Sequence, residues 1–267
     1  MSSPHSPGRT LVVKIGGSMM DDESALAGLC SSLAGLRSQG LSLVLVHGGG
    51  KDINRHLTWL KEEPVFRDGL RVTSPAALRI VEMTLSGYVN KKLVGLLNAG
   101  GAAAAGISGV DGPTFLCEAI SPELGQVGRI VEVRTALVTS LLAAGFLPVV
   151  SPISVDAGQA HFNVNADDAA SALAVALKAE RLLFVSDVDG VRGRDGNRIS
   201  RLDWHGVETL IQDGTATGGM VPKLRSCLAA LASGVGQVHI CSWPGPVRFA
   251  AEVRGETAGG TIIAETA

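Results

Sequence analysis

Hydrophobic residues along the chain fall into two alternating patterns, short apolar runs and amphipathic stretches. Residues 11–15 and 41–46 are short apolar runs, and glycines follow each of them closely. Between these runs, residues 22–39 place leucines at three- and four-residue intervals, the spacing of one helix face, at Leu26, Leu29, Leu33 and Leu36. This succession of strand, glycine-rich turn and helix is typical of βαβ units, so it predicts an α/β protein with a parallel sheet.

The same alternation continues through the rest of the chain. Apolar periodicity predicts further helices near residues 51–61, 75–99, 134–144, 165–179, 204–212 and 220–233. Buried strands are predicted at 147–150, 181–185, 237–242 and 260–264, with short strand signals and turns within 103–133. Residues 64–72 suggest a loop or hairpin, and residues 186–200 are rich in turn formers.

The composition excludes several classes of protein. Of the 267 residues, 46% are hydrophobic and 18% are charged, which excludes disorder over most of the length. The 23 Lys and Arg against 25 Asp and Glu give a net charge of −2, so neither a nucleic acid nor a membrane surface is expected as a partner. The most apolar long stretch, residues 136–153, is interrupted by polar residues and prolines, so we expect no membrane span.

Cysteine and histidine usage favours a reduced, cytoplasmic protein. The four cysteines are widely spaced and form no CxxC pair, which argues against a disulfide scaffold. The six histidines are scattered too, so we expect no structural zinc site and no protein-bound metal centre. The N-terminus reaches the charged Lys14 after only a short apolar run, and is therefore not expected to be a signal peptide.

Two glycine-rich loops follow predicted strands, at residues 14–18 (KIGGS) and 47–50 (HGGG). In α/β proteins such loops hold phosphate groups, because helix N-termini offer unpaired N–H groups and a positive dipole. Tight turns alone would also explain the glycines. The P-loop pattern GxxxxGK[ST], a strand-linked GxGxxG and the HRD and DFG motifs of protein kinases are all absent from the sequence.

Two lysines and two polar segments are candidates for the chemistry. Lys14 stands near the C-terminal edge of a buried strand, where an ammonium group is costly unless it meets an anion; a snorkelling surface lysine is the alternative. Lys223, at a predicted helix start, could be an ordinary exposed lysine. Residues 162–168 (FNVNADD) hold two amides and two acids, more than helix capping requires. Residues 186–190 (SDVDG) could contact a nucleotide or form a plain turn.

Six motifs stand in one order along the chain: KIGG, VHGGG, GLRV (residues 69–72), NVNAD, SDVDGV and GGMVPK. Their order and spacing resemble the amino acid kinase superfamily and, within it, the N-acetylglutamate kinases, over residues 10–264. FRDGLR (66–71) and VNKKL (89–93) also resemble that branch. The resemblance implies a three-layer αβα sandwich with a mainly parallel central sheet. It further implies a flexible leader (1–9), an N-terminal lobe for acceptor binding and dimerisation (10–170) and a C-terminal nucleotide lobe (171–267).

The resemblance also implies catalytic and acceptor-binding residues. Lys14 and Lys223 match the two lysines of the family that act on the transition state, and Asp167 matches the acid that orients them. Arg71 would hold the α-carboxylate of the acceptor. The full set implied to bind the acceptor is Gly49, Gly50, Arg71, Asn163 and Asn165.

Nucleotide contacts are implied by the same comparison. The implied contacts lie in the first glycine loop, in the turn-rich segment after the strand at 181–185, and near the start of the helix at 220–233. The residues are Gly16, Gly17, Ser186, Asp187, Val188, Asp189, Gly190, Val191, Arg192, Thr215, Ala216, Thr217 and Met220. Residues 189–194 are loosely patterned, so the match is weaker there than elsewhere.

The reaction implied by the resemblance is transfer of the γ-phosphoryl group of ATP, with Mg²⁺, to the side-chain carboxylate of N-acetyl-L-glutamate, in arginine biosynthesis. A carboxylate of pKa about 4.3 is already ionised at neutral pH, so no general base is needed. A kinase for a free or carrier-bound aminoadipate derivative of lysine biosynthesis is the alternative. A non-catalytic amino-acid sensor on this fold should have lost a lysine or the aspartate, and this chain keeps all three.

The assembly expected from the resemblance is a homodimer. Forms inhibited by arginine carry an extra N-terminal helix that links dimers into a hexameric ring. Only nine residues precede Thr10 here, and they include Pro4, Pro7 and Gly8, so we expect no such helix and no inhibition by arginine. The apolar pattern of residues 75–99 offers a two-fold interface, although a core-facing helix would show the same pattern.

Overall fold

The structure is a computed structural model that describes residues 10–255 and 259–265. The leader predicted at residues 1–9 lies outside the described residues. Within these ranges, no helix combines the length and the apolar character needed to cross a membrane.

Strands and helices are numbered in chain order. The strands are β1 (Thr10–Ile15), β2 (Ser42–His47), β3 (Phe66–Arg67), β4 (Leu70–Arg71), β5 (Ala104–Ser108), β6 (Phe115–Ala119), β7 (Val127–Val133), β8 (Leu147–Ser151), β9 (Ile153–Val155), β10 (His161–Val164), β11 (Arg181–Val185), β12 (Val191–Arg192), β13 (Arg198–Ile199), β14 (Arg201–Leu202), β15 (Gln237–Cys241) and β16 (Thr261–Ile263). The α-helices are α1 (Glu23–Ser38), α2 (Gly50–Leu57), α3 (Pro75–Glu82), α4 (Asn90–Ala99), α5 (Ala136–Ala143), α6 (Ala166–Ala176), α7 (Trp204–Gln212), α8 (Met220–Ala232) and α9 (Pro246–Arg254).

The central sheet has the strand order β14-β16-β15-β11-β1-β2-β8-β5. All neighbouring strands are parallel except β15 and β16, which are antiparallel. The inner strands are apolar along almost their whole length because helices cover both faces of the sheet. The carboxyl ends of β1, β2 and β11 meet at one edge, which is where ligands bind in open α/β sheets.

Helices form one layer on each face of the sheet. On one face, Leu11, Val13 and Ile15 of β1 pack with α1, α4 and α9. On the other face, Val12 packs with α5, α6, α7 and α8. Side chains alternate along a strand, so Lys14 points to the same face as Val12, towards α6 and α8. The three-layer α/β/α arrangement predicted from the sequence is confirmed.

The structure adds elements that the sequence analysis did not predict. Strands β9 and β10 pair with each other and close a small ring with β6 and β7. Both are short and carry polar residues, so their apolar signal is weak. Helix α9 was also missed, although Pro246 at its first turn and the apolar pair Phe249 and Val253 are helix signals. Residues 75–99 are helical throughout, but Met83–Val89 form π-helical turns between α3 and α4.

Candidate active site

Asp167 lies between two lysine side chains at the sheet edge. Its Oδ1 is 2.7 Å from Lys14 Nζ, and its Oδ2 is 2.7 Å from Lys223 Nζ. The side chains of Lys14, Asp167 and Lys223 are only 10%, 17% and 12% exposed. The Lys223 ammonium also lies 4.9 Å from the centre of the Phe184 ring on β11. Burial therefore rules out the reading of either lysine as an ordinary surface residue.

Asn165 places Asp167 at the start of α6. Its side-chain oxygen accepts hydrogen bonds from the backbone N–H groups of Asp167 (2.7 Å) and Asp168 (3.4 Å). This is an N-cap, and the positive end of the helix dipole favours the acids behind it. Asn165 is therefore the N-cap of α6, and the same cap presents the Asp167 carboxylate to both lysines.

The ionisation of this cluster follows from burial and charge. Burial opposes ionisation of Asp167, but the charges of Lys14 and Lys223 outweigh it and lower the pKa of Asp167 to about 2. Burial, helped by the charge of Lys223, lowers the pKa of Lys14 below its usual value, while Asp167 acts against that shift. Asp167 is thus a permanent anion at neutral pH, with each of its two oxygens next to an ammonium group.

The two glycine loops approach the lysine cluster through their backbones. The N–H of Gly16 donates to Val185 O (3.2 Å), and the N–H of Gly48 donates to Ile15 O (3.0 Å), so the loops extend the strand pairing. A Cβ atom on Gly16 would collide with the Lys14 ammonium group, and one on Gly49 would lie 2.8 Å from Leu85. A side chain at either position would therefore displace the Lys14 ammonium group or the end of Leu85.

A small cavity of about 170 Å³ lies in front of the second glycine loop. All five residues predicted to bind the acceptor line it, namely Gly49, Gly50, Arg71, Asn163 and Asn165. Asn163 donates through Nδ2 to Thr73 Oγ1 at 3.2 Å, which fixes its amide at the wall of the cavity.

Arg71 is the main cation at this cavity. Its Nη2 donates to Gly50 O (3.1 Å) and to Asn54 Oδ1 (2.6 Å), and the guanidinium lies 4.7 Å from the centre of the Phe66 ring. Its Nη1 is buried and has no hydrogen-bond partner. Burial lowers the pKa of Arg71 to about 10, so the group remains charged at neutral pH. A buried cation with a free donor is suited to hold a carboxylate.

A second cavity, of about 300 Å³, lies beyond the end of β11. Ten of the residues predicted to bind the nucleotide line it: Asp187, Val188, Asp189, Gly190, Val191, Arg192, Thr215, Ala216, Thr217 and Met220. Ser186 and Gly16 are not among its lining residues. Ser186 instead donates its backbone N–H to Cys241 O (3.0 Å), and Gly16 lies at the lysine cluster.

Sequence reasoning missed the side chains that support the second glycine loop. His47 is fully buried, with Nδ1 2.9 Å from Gly48 O and Nε2 3.2 Å from Asn90 Nδ2. Burial lowers the pKa of His47 to about 4, so the imidazole is neutral at pH 7. These contacts fit a neutral ring that donates from Nδ1 to the carbonyl and accepts at Nε2 from the amide. The position of His47 directly before the glycines was the sequence feature that could have indicated its role in supporting the loop.

The low pKa of Asp167 predicts how stability depends on pH. Its pKa is 3.8 in the unfolded chain and about 2 in the folded one, so ionised Asp167 stabilises the fold above about pH 4, and this is lost as the pH falls through 2. The difference in unfolding free energy between the wild type and Asp167→Asn should be constant from pH 5 to 7 and shrink by about 2 kcal/mol towards pH 2.

Urea unfolding at each pH measures this difference. The matched control is Asp168→Asn, because burial raises the pKa of Asp168 and its contribution must change in the opposite direction with pH. A wild-type to Asp167→Asn difference that stays constant down to pH 2 would contradict the assigned ionisation.

Comparison with known proteins agrees with this architecture. The amino acid kinase family matches residues 9–242. The acetylglutamate kinase of Geobacillus stearothermophilus is 43% identical over 236 residues, which cover 88% of this chain and 90% of that protein. The acetylglutamate kinase of Cereibacter sphaeroides (strain ATCC 17029) is 42% identical over 260 residues, covering 97% of this chain and 89% of that protein.

Solved structures show the same fold. The crystal structure of smu.665 from Streptococcus mutans superposes with a TM-score of 0.83 at 27% identity, covering 96% of this chain and 99% of that one. The N-acetylglutamate synthase of Neisseria gonorrhoeae, solved with coenzyme A and N-acetyl-glutamate, gives 0.86 at 25% identity, covering 97% of this chain and 60% of that one. The chain therefore belongs to the amino acid kinase family, in its acetylglutamate kinase branch.

Proposed function

We propose that this chain transfers the γ-phosphoryl group of ATP to the side-chain carboxylate of N-acetyl-L-glutamate, a reaction of arginine biosynthesis. The observation that carries the proposal is the Lys14–Asp167–Lys223 cluster beside a small cavity that contains an arginine donor with no partner. The similarity to acetylglutamate kinases supports this acceptor, and membership of a kinase family supports ATP as the donor.

The chemistry of the cluster suits transfer between two anions. The attacking carboxylate is already ionised, so the difficulty is its repulsion from the phosphate groups. Phosphoryl transfer then depends on positioning and charge neutralisation, which Lys14, Lys223 and the N–H groups of the glycine loops would supply. Asp167 cannot serve as a general base, because its pKa is about 2 and both its oxygens are engaged.

Arg71 would orient the acceptor. Its free Nη1 would bind the α-carboxylate, while Gly50 O and Asn54 hold the other side of the guanidinium. The side-chain carboxylate would then lie between the second glycine loop and the lysines, with the Asn163 amide beside the acetylamino group.

The positions of the two cavities support separate binding of the acceptor and of ATP by two lobes. The acceptor cavity is lined by residues between 48 and 166, and the second cavity by residues between 187 and 220. This agrees with an N-terminal lobe (10–170) that binds the acceptor and a C-terminal lobe (171–267) that binds ATP. The phosphates of ATP would extend from the second cavity over Gly16 and Gly17 to the lysines.

Mg²⁺ is expected to accompany ATP, although the residues at the cluster do not form a site for it. Mg²⁺ takes oxygen ligands, and both oxygens of Asp167 already contact lysines. Phosphate oxygens and water would therefore hold the ion, and we assign no step to it.

The substrate is tested by trapping the acyl phosphate with hydroxylamine. We expect kcat/KM for N-acetyl-L-glutamate to exceed that for N-acetyl-aminoadipate by about tenfold or more, because one extra methylene must fit the small cavity. L-Glutamate should also be poor, since its charged amine replaces the acetamide. Preference for the aminoadipate derivative would assign the chain to the alternative substrate, and no hydroxamate with any of the three acids would contradict kinase activity.

Substitution of either lysine is predicted to reduce turnover. Lys14→Ala and Lys223→Ala should each lower kcat by about 10²–10³-fold and change KM for N-acetyl-L-glutamate much less, because the lost charge acts on the transition state. Lys92→Ala, which removes the half-buried partner of the exposed Glu23, is the matched control and should leave kcat unchanged. Near-wild-type turnover in either Lys14→Ala or Lys223→Ala would reject the assignment.

Arg71→Lys is predicted to weaken acceptor binding selectively. An ammonium cannot bind Gly50 O, Asn54 and a carboxylate with the geometry of a guanidinium, so KM for N-acetyl-L-glutamate should rise about tenfold. KM for ATP should not change. Arg67→Lys on the exposed strand β3 is the control. If both KM values rose together, Arg71 would be a structural residue.

We also propose a homodimer and a cytoplasmic location. Trp59, Met83 and Tyr88 are 70%, 58% and 50% exposed and line an apolar groove with His56, as is typical of an interaction surface. Light scattering should give the mass of a dimer for the wild type and of a monomer for Met83→Glu; a monomeric wild type would contradict the dimer.

The proposed cytoplasmic location agrees with the state of the cysteines. All four are buried free thiols, as is typical of proteins in a reducing compartment. Fluorescence microscopy of a tagged protein would test this location.

A further inference from the structure

Three potential metal ligands meet in the interior behind the second cavity. His239 and Cys241 lie two residues apart on β15 and so share one face of the sheet, and Glu252 on α9 packs against that face. The ligand atoms of these three side chains all lie within 4.8 Å of one another. Within residues 10–255 and 259–265, this is the one such group of three or more.

The polar atoms of this group are buried and poorly paired. His239, Cys241 and Glu252 are 5%, 1% and 2% exposed, yet His239 Nε2 has no hydrogen-bond partner, and the Glu252 carboxylate is paired with the Cys241 thiol, which is a weak donor. Arg248 Nε is 3.7 Å from Glu252 Oε1, which is close enough for charge attraction but not for a hydrogen bond. Buried polar groups are normally well paired, so this group of side chains could accommodate a further partner.

We propose that His239, Cys241 and Glu252 bind a zinc ion. An imidazole nitrogen, a thiolate and a carboxylate are the donors that Zn²⁺ prefers, and a water molecule can complete a tetrahedral set. Ligands at about 2.0–2.3 Å from the ion are about 3.5 Å apart, so a closure of about 1 Å would suffice. The thiol proton, and that of the carboxyl where it is protonated, would pass to solvent when the ion binds.

The protonation states without an ion agree with this proposal. Burial lowers the pKa of His239 to about 4, aided by the charges of Arg181 and Arg198, so the imidazole is neutral and able to bind a metal. Burial raises the pKa of both Cys241 and Glu252, and for Glu252 it outweighs the opposing charges of Arg248 and Arg198. A divalent cation would offset both.

An ion at the proposed site would stabilise residues that form one wall of the second cavity. Gly259 and Gly260 cover the group so closely that a Cβ on Gly259 would overlap Glu252, and one on Gly260 would lie 2.8 Å from His239 Nε2. The next residue, Thr261, accepts a hydrogen bond through its hydroxyl from the N–H of Val191 (2.7 Å), which lines that cavity. The ion would therefore act on structure, and phosphoryl transfer does not depend on it.

The test is a titration of chelator-treated, metal-free protein with Co²⁺ under anaerobic conditions. We expect one ion per chain, with a thiolate-to-cobalt absorption band and the visible bands of tetrahedral Co²⁺, and displacement by Zn²⁺. Cys241→Ala should abolish the thiolate band, whereas Cys30→Ala, which removes another buried thiol, should retain it. Circular dichroism verifies that each variant is folded.

Glu252→Gln provides a second variant of unchanged side-chain size. It should weaken Zn²⁺ binding by at least about tenfold, because even outer partners of metal ligands have effects of that size. Absence of a thiolate band in the wild type, its survival in Cys241→Ala, or unchanged Zn²⁺ affinity in Glu252→Gln would overturn the proposal. None of these results would affect the assignment of kinase activity.

Discussion

The structure of the active site depends on one carboxylate placed between two ammonium groups. Lys14 and Lys223 come from distant parts of the chain, and in a largely buried setting their positive charges repel each other. Burial alone lowers the pKa of Lys14, and the charge of Lys223 lowers it further. Asp167 opposes both effects, because it is itself ionised and gives one oxygen to each lysine. It thereby holds the two lysine side chains in position for an anionic substrate.

The fold supplies this geometry through ordinary features of strands and helices. The alternation of β1 sends Lys14 to the face covered by α6 and α8, while its neighbours Val13 and Ile15 enter the opposite core. The Asn165 cap presents Asp167 at the first turn of α6. Because β1, β2 and β11 are parallel, the loops that follow them converge at one edge of the sheet, where the lysines also lie.

Local patterns in the sequence predicted the features that depend on nearby residues. The apolar runs predicted the strands of the sheet, and Lys14 at the end of a buried strand predicted a nearby anion. Asn165 shows the limit of such reasoning, because the sequence pattern does not reveal that one side chain both caps α6 and positions Asp167.

Features that depend on contacts between distant residues could not be predicted. The hydrogen bond from Arg71 to Asn54 connects the β3–β4 hairpin to α2, and no local sequence pattern indicates it. The fold also brings Glu252 of the unpredicted helix α9 close to His239 and Cys241, which lie at least ten residues away along the chain. The spacing of these residues along the chain does not indicate that they are close together, because their proximity arises from the packing of helix α9 against strand β15.

The central point, that Asp167 acts by holding the lysines, is tested most directly by a double-mutant cycle on kcat with Asp167→Asn and Lys14→Met. If Asp167 works through the lysines, the effects of the two substitutions on kcat are not independent. Adding Lys14→Met to the Asp167→Asn variant should then lower kcat by less than about a further threefold. If the two losses instead multiply, so that the double variant falls by a further factor of about 10² or more, Asp167 has a role of its own and the account is contradicted.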